Sequence, residues 1–99
     1  MVFLTKVGIM GIRVFTTKDC AFCPMVKQYL TLKGLTYTEE DISDYGYTEL
    51  REIEKKYKTA KVPITVFPDG EFLTGYNIIS LSDKVNQLTK QFVNDTLAV

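Results

Sequence analysis

Cys20-Ala21-Phe22-Cys23 contains the only two cysteines of this 99-residue chain. A thiol attacks a disulfide as its thiolate, and a second thiol nearby can displace the product from the mixed disulfide that forms. Two cysteines at this spacing can therefore cycle between dithiol and disulfide. They follow a β-branched, aromatic run, Ile12 to Thr16, and precede a helical pattern that includes Met25 to Leu30. With Cys20 at the N-cap, the free amides of Phe22 and Cys23 would point toward its sulfur, and the helix dipole would favour the thiolate. That arrangement makes Cys20 the exposed attacker and Cys23, one turn inward, the more buried resolving thiol. Pro24 is tolerated because early helical amides lack partners within the helix. Lys18 adds favourable charge near Cys20, while Asp19 opposes it.

Two other readings of the pair stay open at the level of residues. The cysteines could be inert core residues, or half of a zinc site. Structural zinc wants four Cys or His ligands, and the chain has no histidine and no further cysteine. Only a dimer or carboxylates could complete such a site, so no metal is expected. The absence of histidine also removes the commonest general base. Chemistry is left to sulfur, carboxylates, lysines and tyrosines.

Composition bounds the setting. A hydrophobic fraction of 45% suits a folded globular chain, and the length suits one domain. Twelve basic and twelve acidic residues cancel, so no net field draws the chain to nucleic acid or anionic membrane. No apolar run is long enough to span a bilayer. The N-terminal apolar stretch is interrupted by Lys6 with no small-residue cleavage site after it, which argues against a signal peptide. Two cysteines at this spacing point to a reducing compartment, and the cytoplasm is expected. Residues 1–10 read as an extension, with Met10-Gly11 a candidate natural start. Residues 11–94 read as the domain and 95–99 as a C-terminal tail.

The elements that must position the cysteines follow from periodicity. A first strand over Arg13 to Thr16 leads through Thr17-Lys18-Asp19 to a helix from about Ala21 to Lys33. That helix carries Phe22, Val26, Tyr29 and Leu30 on its apolar stripe and stops at Gly34. A second strand spans Leu35 to Asp41, and a second helix spans Thr48 to Lys58 with Leu50, Ile53 and Tyr57 apolar. Ile64 to Phe67 and Glu71 to Thr74 form a hairpin about Pro68-Asp69-Gly70. The last helix runs from about Ser80 to Phe92, with Leu81, Val85, Leu88 and Phe92 in line and a capping box from Ser80 to Asp83. The order β-α-β-α-β-β-α predicts a four-stranded mixed sheet with helices on both faces.

Val62-Pro63 is the second candidate segment, since proline fits only the start or edge of a strand. A cis bond there would leave the backbone of Val62 free to pair with an extended, sulfur-bearing substrate. An ordinary trans proline opening the strand is the plain alternative. Phe22 is either a partner-contacting aromatic or a simple core or rim residue, and Tyr76 either a site residue or a core aromatic. Gly75 either serves the site or only its turn.

Phe15-Thr16-Thr17-Lys18-Asp19-Cys20-Ala21-Phe22-Cys23-Pro24, then Val62-Pro63, then Gly75-Tyr76, resembles the glutaredoxin family from about Ile12 to Leu88. The resemblance implies a thioredoxin fold, a nucleophile at Cys20, a resolving thiol at Cys23 and a cis peptide before Pro63. Within the family the chain looks closer to NrdH-redoxins and other glutaredoxin-like proteins. Glutathione-using members usually carry Pro-Tyr between the cysteines, Thr-Val-Pro, and Gly-Gly followed by acidic residues. Here the matching residues are Ala21-Phe22, Lys61-Val62-Pro63 and Gly75-Tyr76-Asn77. The substrate or glutathione site so implied comprises Lys18, Phe22, Lys61, Val62, Pro63, Gly75 and Tyr76, with the two lysines available to glutathione carboxylates.

The expected function is a monomeric dithiol oxidoreductase that reduces disulfides of a protein substrate, reset by thioredoxin reductase or by glutathione. The NrdH resemblance suggests ribonucleotide reductase as a recipient of its electrons. No tightly bound cofactor is expected. The alternatives are a glutathione-dependent [2Fe-2S] carrier, as some glutaredoxins are, and a docking module whose thiols are incidental.

Overall fold

The structure, a computed structural model, describes residues 11–98, and of residues 90–98 the backbone alone. Ile12, Val14, Phe15 and Thr16 of strand β1 (Ile12–Thr16) are all buried, as expected of a β-branched and aromatic run covered on both faces. β1 pairs in parallel with β2 (Tyr37–Asp41), in the register Ile12 to Tyr37 through Thr16 to Asp41. On its other side it runs antiparallel to β3 (Ile64–Val66), with Phe15 opposite Ile64, and β3 pairs antiparallel with β4 (Phe72–Thr74). The sheet order is β2-β1-β3-β4, mixed as expected.

Helices α1 (Cys23–Leu32) and α3 (Ile78–Ala98) cover one face of this sheet. Val26 and Leu30 of α1 meet Leu81, Val85 and Leu88 of α3 over Ile12, Val14 and Phe67. Helix α2 (Tyr47–Tyr57) covers the other face, where Ile53 and Tyr57 pack on Phe15, Ile42 and Ile64. Tyr57 meets Phe15 and Phe72 with ring centroids at 5.6 and 5.0 Å. Cutting a fully buried Leu30 to alanine would cost about 2–5 kcal/mol, because a packed core relaxes only partly around a cavity.

The ends of α1 explain its placement. Gly34 adopts φ +74°, a conformation that other residues reach only with strain. Its amide donates to the carbonyl of Thr31, and that of Leu35 to Leu30, closing a Schellman motif where the sequence predicts a stop. At the other end the expectation of Cys20 as N-cap is corrected. Phe22 is the N-cap, Cys23 opens the helix, and Pro24 follows in its first turn. The amide of Cys20 instead turns back toward the carbonyl of Thr17.

The start of α3 is also corrected. The Asn77 Oδ1 accepts from the amides of Ile79 and Ser80 at 3.0 and 3.2 Å, so Asn77 caps the helix three residues earlier than the Ser80 box implies. The helix then continues past Phe92 into the segment read as a tail, ending at Ala98. The Phe92 side chain and the 1–10 extension lie outside what the structure describes.

Candidate active site

The sheet gathers every candidate segment at one of its ends. Because β1 and β3 are antiparallel, the loop leaving Thr16 emerges beside the segment entering Ile64. Thr74 pairs with Ile64, so Gly75 and Tyr76 leave β4 at the same end. The Gly75 amide donates to the carbonyl of Pro63 at 2.7 Å, tying these two segments directly. Gly75 holds φ +74°, which allows the chain to turn from β4 into α3.

Cys20 and Cys23 are joined as a disulfide, with Cα atoms 5.5 Å apart. The two sulfurs are not equivalent. Cys23 is 2% exposed beneath the first turn of α1, while Cys20 is partly exposed in the loop before it. The amide of Cys23 donates to Cys20 Sγ at 3.1 Å. One of the two expected amide contacts to this sulfur is thus present. A helix-terminal amide directed at sulfur stabilises a thiolate there when the bond is open.

Val62-Pro63 is cis, against the plain trans reading. Pro63 is buried and Val62 is half-buried, and among the described residues neither backbone group of Val62 is paired. Phe22 departs from the apolar stripe of α1. It is 55% exposed and lies parallel to Tyr76, with centroids 6.5 Å apart and planes 9° from parallel. Tyr76 is half-buried against the α1–α3 core. Lys18 and Lys61 are both exposed, and what holds them is backbone. The Lys18 amide donates to Ser43 Oγ and that of Lys61 to Thr59 Oγ1.

A polar node behind the cysteines is absent from the sequence reading. Thr16, buried at the end of β1, donates its hydroxyl to Glu39 Oε2 at 2.8 Å, and Lys27 Nζ reaches both oxygens of Glu39 at 3.1 Å. The Thr16 hydroxyl, and then Lys27, hold the Glu39 carboxyl below its ordinary value. The node ties β1, β2 and the second turn of α1 together. The signal for it in the sequence is a hydroxyl at a buried strand end with a lysine four residues beyond Cys23.

Residues 12–73 match the family model described as Glutaredoxin. A glutaredoxin-like 8.6 kDa protein of the Clostridium pasteurianum rubredoxin operon is 27% identical over 66 residues, covering 67% of this chain and 85% of that protein. The N-acetyl-S-hydroxy-L-cysteine reductase of Bacillus subtilis (strain 168) is 31% identical over 74 residues, covering 74% and 77%. Among solved structures, a thioredoxin-like protein superposes with a TM-score of 0.60 at 30% identity, covering 78% of this chain and 97% of that one. A glutaredoxin from Archaeoglobus fulgidus superposes with a TM-score of 0.62 at 18% identity, covering 73% and 82%, a likeness of fold. Among the described residues, the four-stranded mixed sheet with three helices is thus a thioredoxin-like fold, as the resemblance implied.

Proposed function

Because the chain belongs to the glutaredoxin family, we propose that it is a dithiol oxidoreductase that reduces protein disulfides through Cys20 and Cys23. The observation that carries this reading is the asymmetry of the pair: an accessible sulfur that accepts an amide hydrogen bond, backed by a concealed one. In the reduced protein the Cys20 thiolate attacks one sulfur of a substrate disulfide. The substrate S–S bond breaks, a mixed disulfide forms on Cys20, and the departing thiolate takes up a proton. Cys23 then gives up its proton and attacks Cys20 Sγ, releasing the second substrate thiol. Two electrons pass to the substrate and the Cys20–Cys23 disulfide is left behind.

The unpaired backbone of Val62 beside Pro63 supports docking of an extended substrate strand across the sulfurs. Replacing Cys20 with serine is expected to abolish insulin reduction, and full activity in Cys20→Ser would sink the reading. Cys23→Ser is expected to accumulate a mixed disulfide on Cys20, visible as an added mass that dithiothreitol removes. The electron source is decided by whether thioredoxin reductase, or glutathione with its reductase, turns over the oxidised protein. A ribonucleotide reductase disulfide is the recipient to try first, on the NrdH resemblance. A brown, dimeric product of anaerobic reconstitution with glutathione would favour the cluster carrier instead.

The Bacillus subtilis relative brings a second reading, reduction of an S-hydroxycysteine. There the Cys20 thiolate attacks the hydroxylated sulfur and the S–O bond breaks. Hydroxide leaves as water after protonation, and Cys23 resolves the mixed disulfide as before. Consumption of N-acetyl-S-hydroxycysteine, measured against insulin reduction, separates the two.

A further inference from the structure

Strand β4 is outermost in the sheet among the described residues, and β3 pairs with only one of its edges. The Gly75 amide donates to the Pro63 carbonyl and the Phe67 amide to the Glu71 carbonyl, so β3 takes the backbone groups of alternate residues. Those of Phe72 and Thr74 therefore face away from β3, where another strand can pair with them. The two outer strands of the sheet differ in how they guard such an edge. β2 carries Glu39, Glu40 and Asp41 in succession, whereas Phe72 to Ser82 holds no charged residue and no proline.

The two ends of β4 also differ from each other. Glu71, just before the strand, lies on the sheet face covered by α3, where its exposed carboxylate meets Lys84. Lys84 is held by Asp69 as well, so it stays paired if Glu71 turns outward. At the other end a cavity of about 270 Å³ opens beside the start of α3. Thr74, Asn77 and Ser80 line it with hydroxyls and an amide, and no carboxylate is among its lining residues. The first turn of α3 likewise carries no acidic residue, which leaves the positive end of its dipole without a side-chain anion.

We propose that β4 is a homodimerisation edge, pairing antiparallel with β4 of a second copy about a twofold axis at Leu73. On that axis Leu73 faces its own mate as a non-hydrogen-bonded pair, and Phe72 lies opposite the partner's Thr74. The outward amides and carbonyls of Phe72 and Thr74 then bond across the axis and join two four-stranded sheets into one. A second copy is the occupant because the acidic end and the donor-lined end of β4 lie two residues either side of Leu73. The symmetry that pairs the strands therefore sets the partner's Glu71 opposite Gly75, on the α3 face, beside the donors of Thr74, Asn77 and Ser80. Each copy supplies the carboxylate that the other's helix start lacks, and no like charges meet along the pairing. The copies run in opposite directions, so their cysteine loops lie at opposite ends of the joined sheet. The interface is thus independent of the dithiol chemistry.

The test is sedimentation equilibrium of the full chain, disulfide formed, over roughly 20 μM to 2 mM, a range suited to an interface below about 1,200 Å². A monomer–dimer equilibrium is expected at low salt. Ser80 is exposed, so its substitution leaves the core intact. Ser80→Glu sets a carboxylate against the partner's Glu71 and should raise the dimer Kd roughly fivefold to tenfold, while Ser80→Lys should lower it by a similar factor. Glutamate near a helix start favours the fold and lysine disfavours it, so damage to folding cannot produce this order. Both differences should shrink in about 0.5 M salt. Amide hydrogen exchange locates the contact: Phe72 and Thr74 should gain protection as concentration rises. A chain that stays monomeric at the upper concentration would overturn the proposal. So would one Kd shared by all three proteins, or protection that builds away from β4.

Discussion

Lys84 of α3 is 7% exposed, with its ammonium held by Asp69 and Glu71 and lying 5.8 Å from the centre of the Phe67 ring. Burial opposes the charge, and the hydrogen bonds that the ammonium donates to the two carboxylates outweigh it, so the Lys84 pKa is raised. The same contact depresses that of Asp69. Removing both partners in Asp69→Asn with Glu71→Gln strands a buried cation and should cost about 3 kcal/mol in urea unfolding. Lys84→Met, which leaves half-exposed carboxylates free to rehydrate, should cost clearly less. The reverse ranking would mean that the pair, rather than its desolvation, sets the energy. The cysteines make a second comparison at this scale. After reduction, a short iodoacetamide pulse should modify Cys20 well before the concealed Cys23, giving a single adduct by mass spectrometry; equal modification would contradict the burial difference.

Each of the seven elements lies close to where periodicity places it, because the stripes Val26–Leu30, Ile53–Tyr57 and Leu81–Leu88 are the faces that pack. Element ends are less legible, since several residues compete for each cap and only local geometry decides. Ser80 has the right spacing for a capping box, yet Asn77 lies where the chain turns out of Gly75 and takes the role first. Asn77→Ala should therefore cost about 1 kcal/mol and Ser80→Ala almost nothing, checked by thermal melts. Helix α2 closes on Lys58 at φ 68°, a left-handed conformation with no glycine to relieve it. Lys58→Gly is expected to stabilise by roughly 0.5–1 kcal/mol. In the site, Cys20 and Cys23 are legible from spacing alone, whereas the cis bond at Pro63 comes only through the resemblance. The Phe22–Tyr76 stack is not legible at all. Its partners are far apart in sequence, and Phe22 fits the α1 stripe until the helix is seen to begin after it.

Across the whole molecule, the titrating contacts leave a wide neutral plateau. Glu39, Glu40, Asp41 and Asp69 all have pKa values lowered by folding, through Thr16, Tyr45, Ser43 and Lys84 respectively as the leading contacts. Their contribution is complete above the unfolded carboxylate values of about 4 and is lost as pH falls through the lower folded values. Tyr45, raised by its hydrogen bond to Glu40, and Lys84 behave oppositely. Their contribution holds below the unfolded values of about 10 and is lost as pH rises through the folded ones. With no histidine in the chain, calorimetry of the oxidised protein should give a nearly constant Tm from about pH 5 to 9. A marked step near neutrality would contradict these assignments. The acidic limb has a further consequence for β2, outermost in the sheet among the described residues. An open strand edge invites another chain to add to it, and consecutive charges such as Glu39, Glu40 and Asp41 repel a like edge that approaches. The contacts that keep these carboxylates ionised in acid thus also keep neighbouring molecules apart, so turbidity and unfolding should set in together as the pH drops.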